Sequence, residues 1–405
     1  MTRPAVEVAD ILRAQGSHFI DRHQNQIGFQ QMKVMRAIEN CRTATLGGHI
    51  DKCMGCGEDW GLSFNSCRNR HCPKCQGQAR ERWIAARERE LLESPYFHVL
   101  FSLPHELNAL ILQNEAELCG LLFRAVADTL VEVAANPKHL GAEIGFFGIL
   151  HTWGQNMLFH PHIHCVVPSG GLSPGRKHWI RGSDRFFLPL EVLRRVFRGK
   201  FVEGLKDAYA QQRLHLNGQI QHLGRGNCFA AFVRKLHRHK WVVYAKPPFG
   251  GPKQVLRYLG RYTHRVAISN HRLLAFDGDN VTFRWRDYAH GNVQRTMTIT
   301  VEEFIRRFLL HVLPKGFVRI RHFGFMANYQ RSTSFELCRQ LLGTLPVVPS
   351  EEIPLRVPYW CDLTEISGSI AHRVRRKHQQ LPSSRVIESA VKIAAQFRLL
   401  ARHFR

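Results

Sequence analysis

The order of apolar and polar positions predicts alternating helices and strands along most of this chain. Apolar residues recur at helical spacing in "VEVADILRA" and "FQQMKVMRAIENC", and "QARERWIAARERELLES" has the pattern of a charged amphipathic helix. The run "YFHVLFSLP" predicts a buried strand, and it is followed by one or two helices with an apolar stripe and then by a second strand, "AEIGFFGILHTWG". A strand, a long helix and a strand in this order are typical of mixed folds.

The second half of the chain continues the mixture and then loses its pattern. A helix ("LEVLRRVFRGKFVEGLKDAY"), a strand ("HKWVVYAKP") and a helix around "PKQVLRYLGRYTH" precede three alternating strands, "VAISNHRLLAF", "NVTFRWRDY" and "VQRTMTITV", with "DGD" as a turn. Beyond about residue 330, "LPVVPSEEIPLRVP" predicts a linker. Residues 371–405 have a helix-like pattern with nine Lys and Arg against one Glu.

The net charge of the chain indicates which class of molecule it binds. The chain has 405 residues, 44% of them hydrophobic, and a formal net charge of +25. A surplus of this size favours a polyanionic partner, most often nucleic acid. No apolar run is long enough to span a bilayer and the first residues lack the pattern of a secretion signal, so we expect a cytoplasmic protein associated with the bacterial nucleoid and no membrane partner.

Reduced thiols in that compartment favour metal binding over disulfides for the cysteines. Two CxxC pairs, "CMGC" and "CPKC", are separated by 15 residues, which is zinc-ribbon spacing. The predicted ligands of a structural Zn²⁺ are Cys53, Cys56, Cys72 and Cys75. A second, cross-braced site or a set of spare residues is predicted at Cys41, His49, Cys67 and His71. The neighbouring Arg68 and Arg70 are candidates for contacts with DNA phosphates.

Three histidines occur within five residues in "FHPHIHCVVP". If this stretch is a strand, His162 and His164 project from one face about 7 Å apart and can chelate one divalent cation. With 24 histidines in the chain, such a pair also arises by chance.

A second stretch, "VLRYLGRYTHR", places Tyr258 and Tyr262 one above the other on a predicted helix. Arg257, Arg261 and Arg265 form an adjacent basic stripe suited to DNA phosphates. A tyrosine pair packed on a sheet, with the arginines in solvent, is the structural alternative.

The histidine stretch and the tyrosine stretch are together suited to one reaction, the cleavage of a DNA strand by a tyrosine. A phenolic oxygen attacks a DNA phosphodiester beside a divalent cation, which leaves a phosphotyrosine and a free 3′ hydroxyl. A phenol with an ordinary pKa near 10 is only about 0.1% ionised at neutral pH, so it needs help from the cation or the arginines.

The motifs "HPHIH" and "YLGRYTHR", in this order, resemble those of the HUH endonucleases. Within that group the chain resembles the two-tyrosine rolling-circle transposases of the bacterial insertion sequence ninety-one type. The similarity extends to "GGHIDKCMGCG…SCRNRHCPKCQ", "VLFSLPHEL" and "RIRHFGFMAN", and covers roughly residues 10 to 330.

The resemblance implies a catalytic domain whose central antiparallel sheet carries the two histidines, with flanking helices and a tyrosine helix. It also implies Mg²⁺ or Mn²⁺, single-stranded DNA as substrate, and Tyr258 and Tyr262 as nucleophiles. The family's metal usually has a third protein ligand. His160, Gln155 and His151 all lie nearby in the sequence, and we expect Gln155 or His160.

We therefore predict an α+β protein in three parts: a helical and zinc-binding DNA-binding module (1–95), an HUH tyrosine transposase domain (96–330), and a linker with a basic helical tail (331–405). The predicted function is strand transfer at the ends of a mobile element through a 5′-phosphotyrosine intermediate. The alternatives are a rolling-circle replication initiator and a non-catalytic, zinc-dependent DNA-binding regulator. The sequence contains no His-Glu-x-x-His motif, which would indicate a zinc hydrolase. The stretch "PSGGLSPG" lacks the lysine of an ATP site, so no nucleotide cofactor is expected.

Overall fold

A computed structural model describes residues 4–52, 59–183, 185, 187–246, 254, 260, 266–288, 290–343 and 377–381. The helices are α1 (Val8–Arg22), α2 (Phe29–Glu39), α3 (Gln76–Glu88), α4 (Asn108–Gln113), α5 (Glu115–Ala135), α6 (Leu190–Ala210), α7 (Gly226–Arg238), α8 (Val301–Leu309) and α9 (Arg331–Leu342). The strands are β1 (Gly48–Lys52), β2 (Asp59–Phe64), β3 (Tyr96–Ser102), β4 (Gly145–Trp153), β5 (Phe159–Pro168), β6 (Gly170–Leu172), β7 (Trp179–Arg181), β8 (Val242–Lys246), β9 (Leu273–Phe276), β10 (Asn280–Asp287), β11 (Val293–Thr300), β12 (Ile320–Gly324) and β13 (Lys377–Leu381). Within these ranges, no helix combines the length and apolar composition needed to cross a membrane.

A five-stranded antiparallel sheet, in the order β12–β4–β5–β3–β8, lies at the centre of the molecule. Successive residues of a strand point to opposite faces, so each face has its own composition. One face is apolar and packs against α5 and α6. Its contacts include Phe101 of β3, whose ring lies 5.1 Å from that of Phe197 on α6. This arrangement confirms the prediction of a mixed fold with a central antiparallel sheet.

The opposite face of the sheet is covered at one end by α3 and α9. Trp83 of α3 packs edge-on against Phe147 of β4, with ring centroids 5.6 Å apart. Phe335 and Cys338 of α9 are buried in the same apolar cluster. The other end of this face carries the histidines.

A second core joins the N-terminus to a distant part of the chain. Helices α1 and α2 share one buried cluster with β9, β10 and α8, and this cluster includes Cys41 and Cys72. The backbone N–H of Val8 donates to Asn270 Oδ1 at 3.2 Å. Residues on both sides of position 95 therefore share one buried core, and the division of the chain into three parts stays a prediction.

The three alternating strands predicted after the tyrosine stretch form an antiparallel sheet in the order β11–β10–β9. Gly278, in the middle of "DGD", has φ +104, a conformation that favours glycine at the turn between β9 and β10.

The C-terminal tail differs from its prediction over the five residues that the structure describes. These residues were expected to be helical, but Lys377–Leu381 form β13 and pair antiparallel with β1, with Gly48 opposite Leu381. The unpaired N–H and C=O groups along the edge of the β1–β2 pair offer the backbone partners that outweigh helix propensity here. The rest of the tail beyond residue 343 lies outside the described residues.

Candidate functional site

Four cysteine sulfurs form a cluster beside the start of α3. The set is Cys41, Cys67, Cys72 and Cys75. Sγ of Cys41 lies 3.4 Å from Sγ of Cys75, Sγ of Cys67 lies 3.5 Å from the same atom, and Sγ of Cys72 lies 3.6 Å from that of Cys41. Tetrahedral zinc, with Zn–S bonds of about 2.3 Å, requires sulfurs about 3.8 Å apart, so the cluster fits a structural Zn²⁺.

The four thiols share their protons unevenly, because hydrogen bonds with Cys41 raise the pKa of Cys67 and of Cys72. Hydrogen bonds among the thiols, with that from Cys41 contributing most, lower the pKa of Cys75. The hydrogen bonds of Cys67 and Cys72 lower the pKa of Cys41 to about 7. Closely packed sulfurs of this kind are stabilised as thiolates when a cation lies among them.

The cluster combines one predicted pair with part of the predicted second set. Cys72 and Cys75 lie together as expected, and Cys41 and Cys67 complete the group of four. Cys53 and Cys56 lie outside the described residues. Neither His49 nor His71 belongs to this group; His71 is buried, with its Nδ1 3.1 Å from Asn69 Oδ1.

Three histidines converge on one face of the central sheet. Nitrogen atoms of His151, His162 and His164 all lie within 4.8 Å of one another. His151 of β4 lies directly opposite His162 of β5, and Ile149 lies opposite His164, so the strand register brings the three rings to one face. Imidazoles at this spacing fit a divalent cation.

Hydrogen bonds orient two of these rings. The His162 Nδ1 lies 2.6 Å from the carbonyl oxygen of His160, and because a carbonyl only accepts, Nδ1–H is the donor. The Nε2 lone pair of neutral His162 is therefore available for a metal. Nδ1 of His164 shares a 2.7 Å hydrogen bond with Nε2 of His98 on β3, and when His164 donates, its own Nε2 is likewise left to accept a cation.

Burial keeps these imidazoles neutral. It lowers the pKa of His162 to about 3, lowers the pKa of His98 to about 4, and holds that of His164 well below its ordinary value. A metal ligand must be the neutral imidazole, so removal from water prepares the cluster for a cation.

In the structure His151 lies beside the predicted pair, and the two residues preferred as third ligand make other contacts. His160 lies on the same strand, but its Nε2 is 2.8 Å from Ser102 Oγ, and its ring turns toward β3. Gln155 lies in the connection between β4 and β5, where its side chain reaches the hydroxyl of Tyr288 at 3.5 Å. The register of two neighbouring strands decides which side chain completes the group, and sequence proximity does not.

The tyrosines and their arginines lie outside the described residues. This set comprises Tyr258, Tyr262, Arg257, Arg261 and Arg265. Gly260, between the tyrosines in the sequence, is described: its backbone is helical and it is buried. Arg68 is exposed. Arg70 instead donates to the carbonyl oxygens of Phe317 and Pro314, at 2.6 and 2.9 Å, so this guanidinium serves the fold.

His98 is the residue of the cluster that sequence reasoning missed. It stands in "YFHVLFSLP", a stretch that was predicted to be a strand. The alternation of side chains between the two faces of that strand was the signal available in the sequence. The adjacency of β3 and β5, which only the sheet order provides, is what gives His98 its partner.

Two family profiles match two different parts of the chain. Residues 11–103 match the family profile described as "Transposase zinc-binding domain", and residues 145–333 match that described as "Putative transposase". No solved structure matches the chain.

Two related proteins are also similar in sequence to this chain. A protein of Sinorhizobium fredii named "Putative transposase y4qJ" is 53% identical over 87% of this chain and 88% of that protein. The "Transposase for insertion sequence element IS801" of Pseudomonas savastanoi pv. phaseolicola is 28% identical over 65% of this chain and 62% of that protein. The chain therefore belongs to the IS91-type family of insertion-sequence transposases, with an N-terminal zinc-binding domain.

Proposed function

We propose that this transposase nicks single-stranded DNA at the ends of its element and transfers the strand through a 5′-phosphotyrosine intermediate, as in rolling-circle transposition. The observation that supports this most directly is the cluster of His151, His162 and His164 on one face of the central sheet, where burial lowers the pKa of His162 and His164. The cluster stands in a chain that carries a net charge of +25.

His151, His162 and His164 would hold Mg²⁺ or Mn²⁺ through their ring nitrogens. When bound there, the ion would supply Lewis-acid polarisation of the scissile phosphate. Burial supports this assignment because it lowers the pKa of His162 and His164, which favours the neutral imidazoles that bind metals.

Tyr258 and Tyr262 are the proposed nucleophiles. The phenolic oxygen bonds to phosphorus while the bond from phosphorus to the 3′ oxygen breaks; the phenol loses its proton and the 3′ oxygen gains one. The ester is conserved in the phosphotyrosine, so a second transfer can rejoin the strand without a nucleotide cofactor. Arg257, Arg261, Arg265 and Arg68 are proposed to contact DNA phosphates.

The test mixes the full chain with single-stranded oligonucleotides that carry the ends of its element, in Mg²⁺ or Mn²⁺ without ATP. We expect a protein–DNA adduct that survives denaturant, and we expect it to be lost in the Tyr258→Phe, Tyr262→Phe double variant. His151→Ala should reduce adduct formation on the order of 100-fold or more, because a ligand is removed.

His160→Ala is the matched control, since this histidine neighbours the cluster but bonds to Ser102. Its adduct yield should stay within a few-fold of wild type. An adduct that persists in the double tyrosine variant contradicts the mechanism. DNA binding without any adduct in wild type would favour the non-catalytic regulator.

A further inference from the structure

Strand β8 exposes apolar and aromatic side chains on one of its faces. Among the strands that the structure describes, β8 ends the central sheet next to β3. Val242 and Tyr244 are 50% and 52% exposed, whereas Val243 between them is 3% exposed and belongs to the main apolar core. Successive residues of a strand point to opposite faces, so one face of β8 is packed and the other is open.

Strand register places the open face of β8 on the side of the sheet that carries the histidine cluster. Tyr244 lies directly opposite Leu100 of β3, and Leu100 lies opposite His164 of β5. Residues opposite each other in an antiparallel pair share a face, and neighbouring strands are about 4.8 Å apart. The Cα atom of Tyr244 therefore lies roughly 10 Å from that of His164.

A lysine continues the open face of β8. Lys246 is exposed and lies opposite His98 of β3. His98 is itself joined to the cluster, because its Nε2 lies 2.7 Å from Nδ1 of His164. Tyr244 and Lys246 thus place an aromatic ring and a cation next to each other, on the same face as the histidines and two strands away from His164.

The charge of the chain around β8 indicates the partner of this surface. Residues 208–276 contain no Asp or Glu, so their Lys and Arg residues are not offset by any acidic residue of the same stretch. Proteins bind single-stranded nucleic acids with aromatic side chains that stack on bases and with basic groups that follow the backbone. An exposed ring in a basic stretch therefore fits a polyanion with accessible bases better than it fits an apolar protein surface.

We propose that Tyr244 and Lys246 bind single-stranded DNA beside the histidine cluster, with the ring of Tyr244 stacked on a base and the ammonium group of Lys246 at a phosphate. This arrangement leads the DNA over β8 and β3 toward the proposed metal ligands on β5. Bases within a duplex stack on each other, so the surface favours a single strand over a duplex. The inference rests on the proposed function, which takes single-stranded DNA as the substrate.

The test measures binding of the full chain to a fluorescein-labelled oligothymidylate by anisotropy, without added Mg²⁺ or Mn²⁺. Tyr244→Ala should weaken binding by about 5- to 150-fold, which is the effect of losing one base–aromatic stack. Tyr244→Phe keeps the ring and should stay within a few-fold of wild type. Tyr244→Thr removes the ring but keeps a residue that is favoured in strands, so it should lose as much affinity as Tyr244→Ala.

Three comparisons separate stacking from other effects. Tyr329→Ala, at a tyrosine that is 86% exposed between β12 and α9, should leave the affinity unchanged. Affinity for the same oligonucleotide paired with oligoadenylate should change at most a few-fold in Tyr244→Ala. For Lys246→Gln, the slope of log affinity against log salt concentration should decrease in magnitude by about 0.7, as expected for one phosphate contact.

The stacking role is overturned if Tyr244→Ala binds the single strand as wild type does, if Tyr244→Phe loses as much affinity as Tyr244→Ala, or if affinity for the duplex falls equally. An unchanged salt slope in Lys246→Gln would overturn the phosphate contact. Failure of the proposed function has a different signature, because this binding does not depend on cleavage. Wild type would then bind the single strand through Tyr244 and still form no adduct with the ends of the element.

Discussion

At the scale of single residues, the metal site proposed for this transposase would depend on imidazoles that are buried away from water. His162 is 7% exposed and His151 2% exposed, and burial lowers the pKa of His162 to about 3, which favours the neutral form that binds metals. Each ring then needs a partner to hold its orientation, because a buried ring nitrogen without a hydrogen bond is costly. The carbonyl oxygen of His160 does this for His162, and His98 does it for His164.

His98 should therefore tune metal binding without touching the metal. We expect His98→Phe to weaken Mn²⁺ affinity by about 10- to 100-fold, as loss of the hydrogen-bond partner of a ligand typically does. His98→Gln should retain more affinity, because its amide oxygen can accept from His164. Titration calorimetry with Mn²⁺ measures both. His105→Phe, a change at a largely exposed histidine, is the control. Equal affinities for wild type and His98→Phe would contradict this role.

The composition of the zinc site is a second prediction at this scale. We expect Cys41→Ser and Cys67→Ser each to lower the bound zinc by about one equivalent per chain, because four thiolates close a structural site. Cys228→Ser, at a partly buried cysteine outside the cluster, should leave zinc content unchanged. Atomic absorption on the purified variants measures their zinc content. Undiminished zinc in Cys41→Ser would show that the ion lies elsewhere, and the Cys53→Ser and Cys56→Ser variants would then locate it.

At the scale of elements, helix ends and strand ends do the positioning. Helix α8 packs Phe304 and Phe308 into the core that α1 and α2 share, so its start must be well defined. Thr300 Oγ1 accepts from the backbone N–H of Glu303, and the carboxylate of Glu303 accepts from Nε of both Arg306 and Arg307 at 2.6 Å. This is a strongly favourable N-terminus for a helix of nine residues.

The ion pairs of Glu303 make a pH-dependent contribution to stability. The hydrogen bond from Arg306, followed by that from Arg307, lowers the pKa of Glu303 to about 2. A depressed carboxyl pKa adds stability above the unfolded value near 4.5 and loses it as the pH falls toward 2. Glu303→Gln should therefore cost on the order of 1 kcal/mol at pH 7, after discounting for the exposed part of the side chain. The difference from wild type should shrink below pH 4.5 in urea unfolding. Glu203→Gln on the surface of α6 is the control and should change the free energy of unfolding little at pH 7, because its ion pair with Lys206 is exposed.

The glycine of "RIRHFGFMAN" has a strict geometric requirement. Gly324 ends β12 with φ +58, and a Cβ there would overlap the carbonyl oxygen of Ile144 beside β4. We expect Gly324→Ala to lower the free energy of unfolding by about 2–4 kcal/mol, since strain and a backbone clash combine. Gly343→Ala is matched to it, with φ +70 at the end of α9 and open space around it, and should cost only about 1 kcal/mol. Equal losses in the two variants would rule out the clash with Ile144.

At the scale of the whole molecule, the parts named in the sequence are joined through shared cores. Cys41 and Cys72 of the zinc module lie in one cluster with Phe283 and Phe304. Trp83 links the same module to the central sheet. A zinc module built in this way can transmit its own stability to the rest of the protein, which a domain on a flexible linker could not do.

The net charge of +25 is also a property of the whole molecule. Affinity for a single strand should fall with a slope of about −0.7 per neutralised phosphate on a log–log plot against salt concentration. For about five phosphates, a fourfold rise in salt would weaken binding on the order of 100-fold. Fluorescence anisotropy with a labelled oligonucleotide measures the slope. Salt-independent binding would mean that the basic residues do not face the DNA.

Most of the local structure and the family could be predicted from the chain itself. The alternating strands, the amphipathic helices and the motifs "HPHIH" and "CPKC" depend on near neighbours, whose spacing is written directly in the sequence. The same reasoning assigned the tail a helix, and residues 377–381 form a strand instead, because a distant sheet edge offered backbone partners.

The sequence by itself determined that this protein has a zinc-binding region, a mixed fold and a strongly basic character, because residue type and local periodicity suffice for these. Only the tertiary structure decided which residues complete each group. His151 and His98 join the histidines through strand register and sheet order, and Cys41 joins the "CPKC" pair from more than thirty residues away in the sequence. Contacts between residues far apart in sequence depend on how the elements pack, which no short stretch of the chain records.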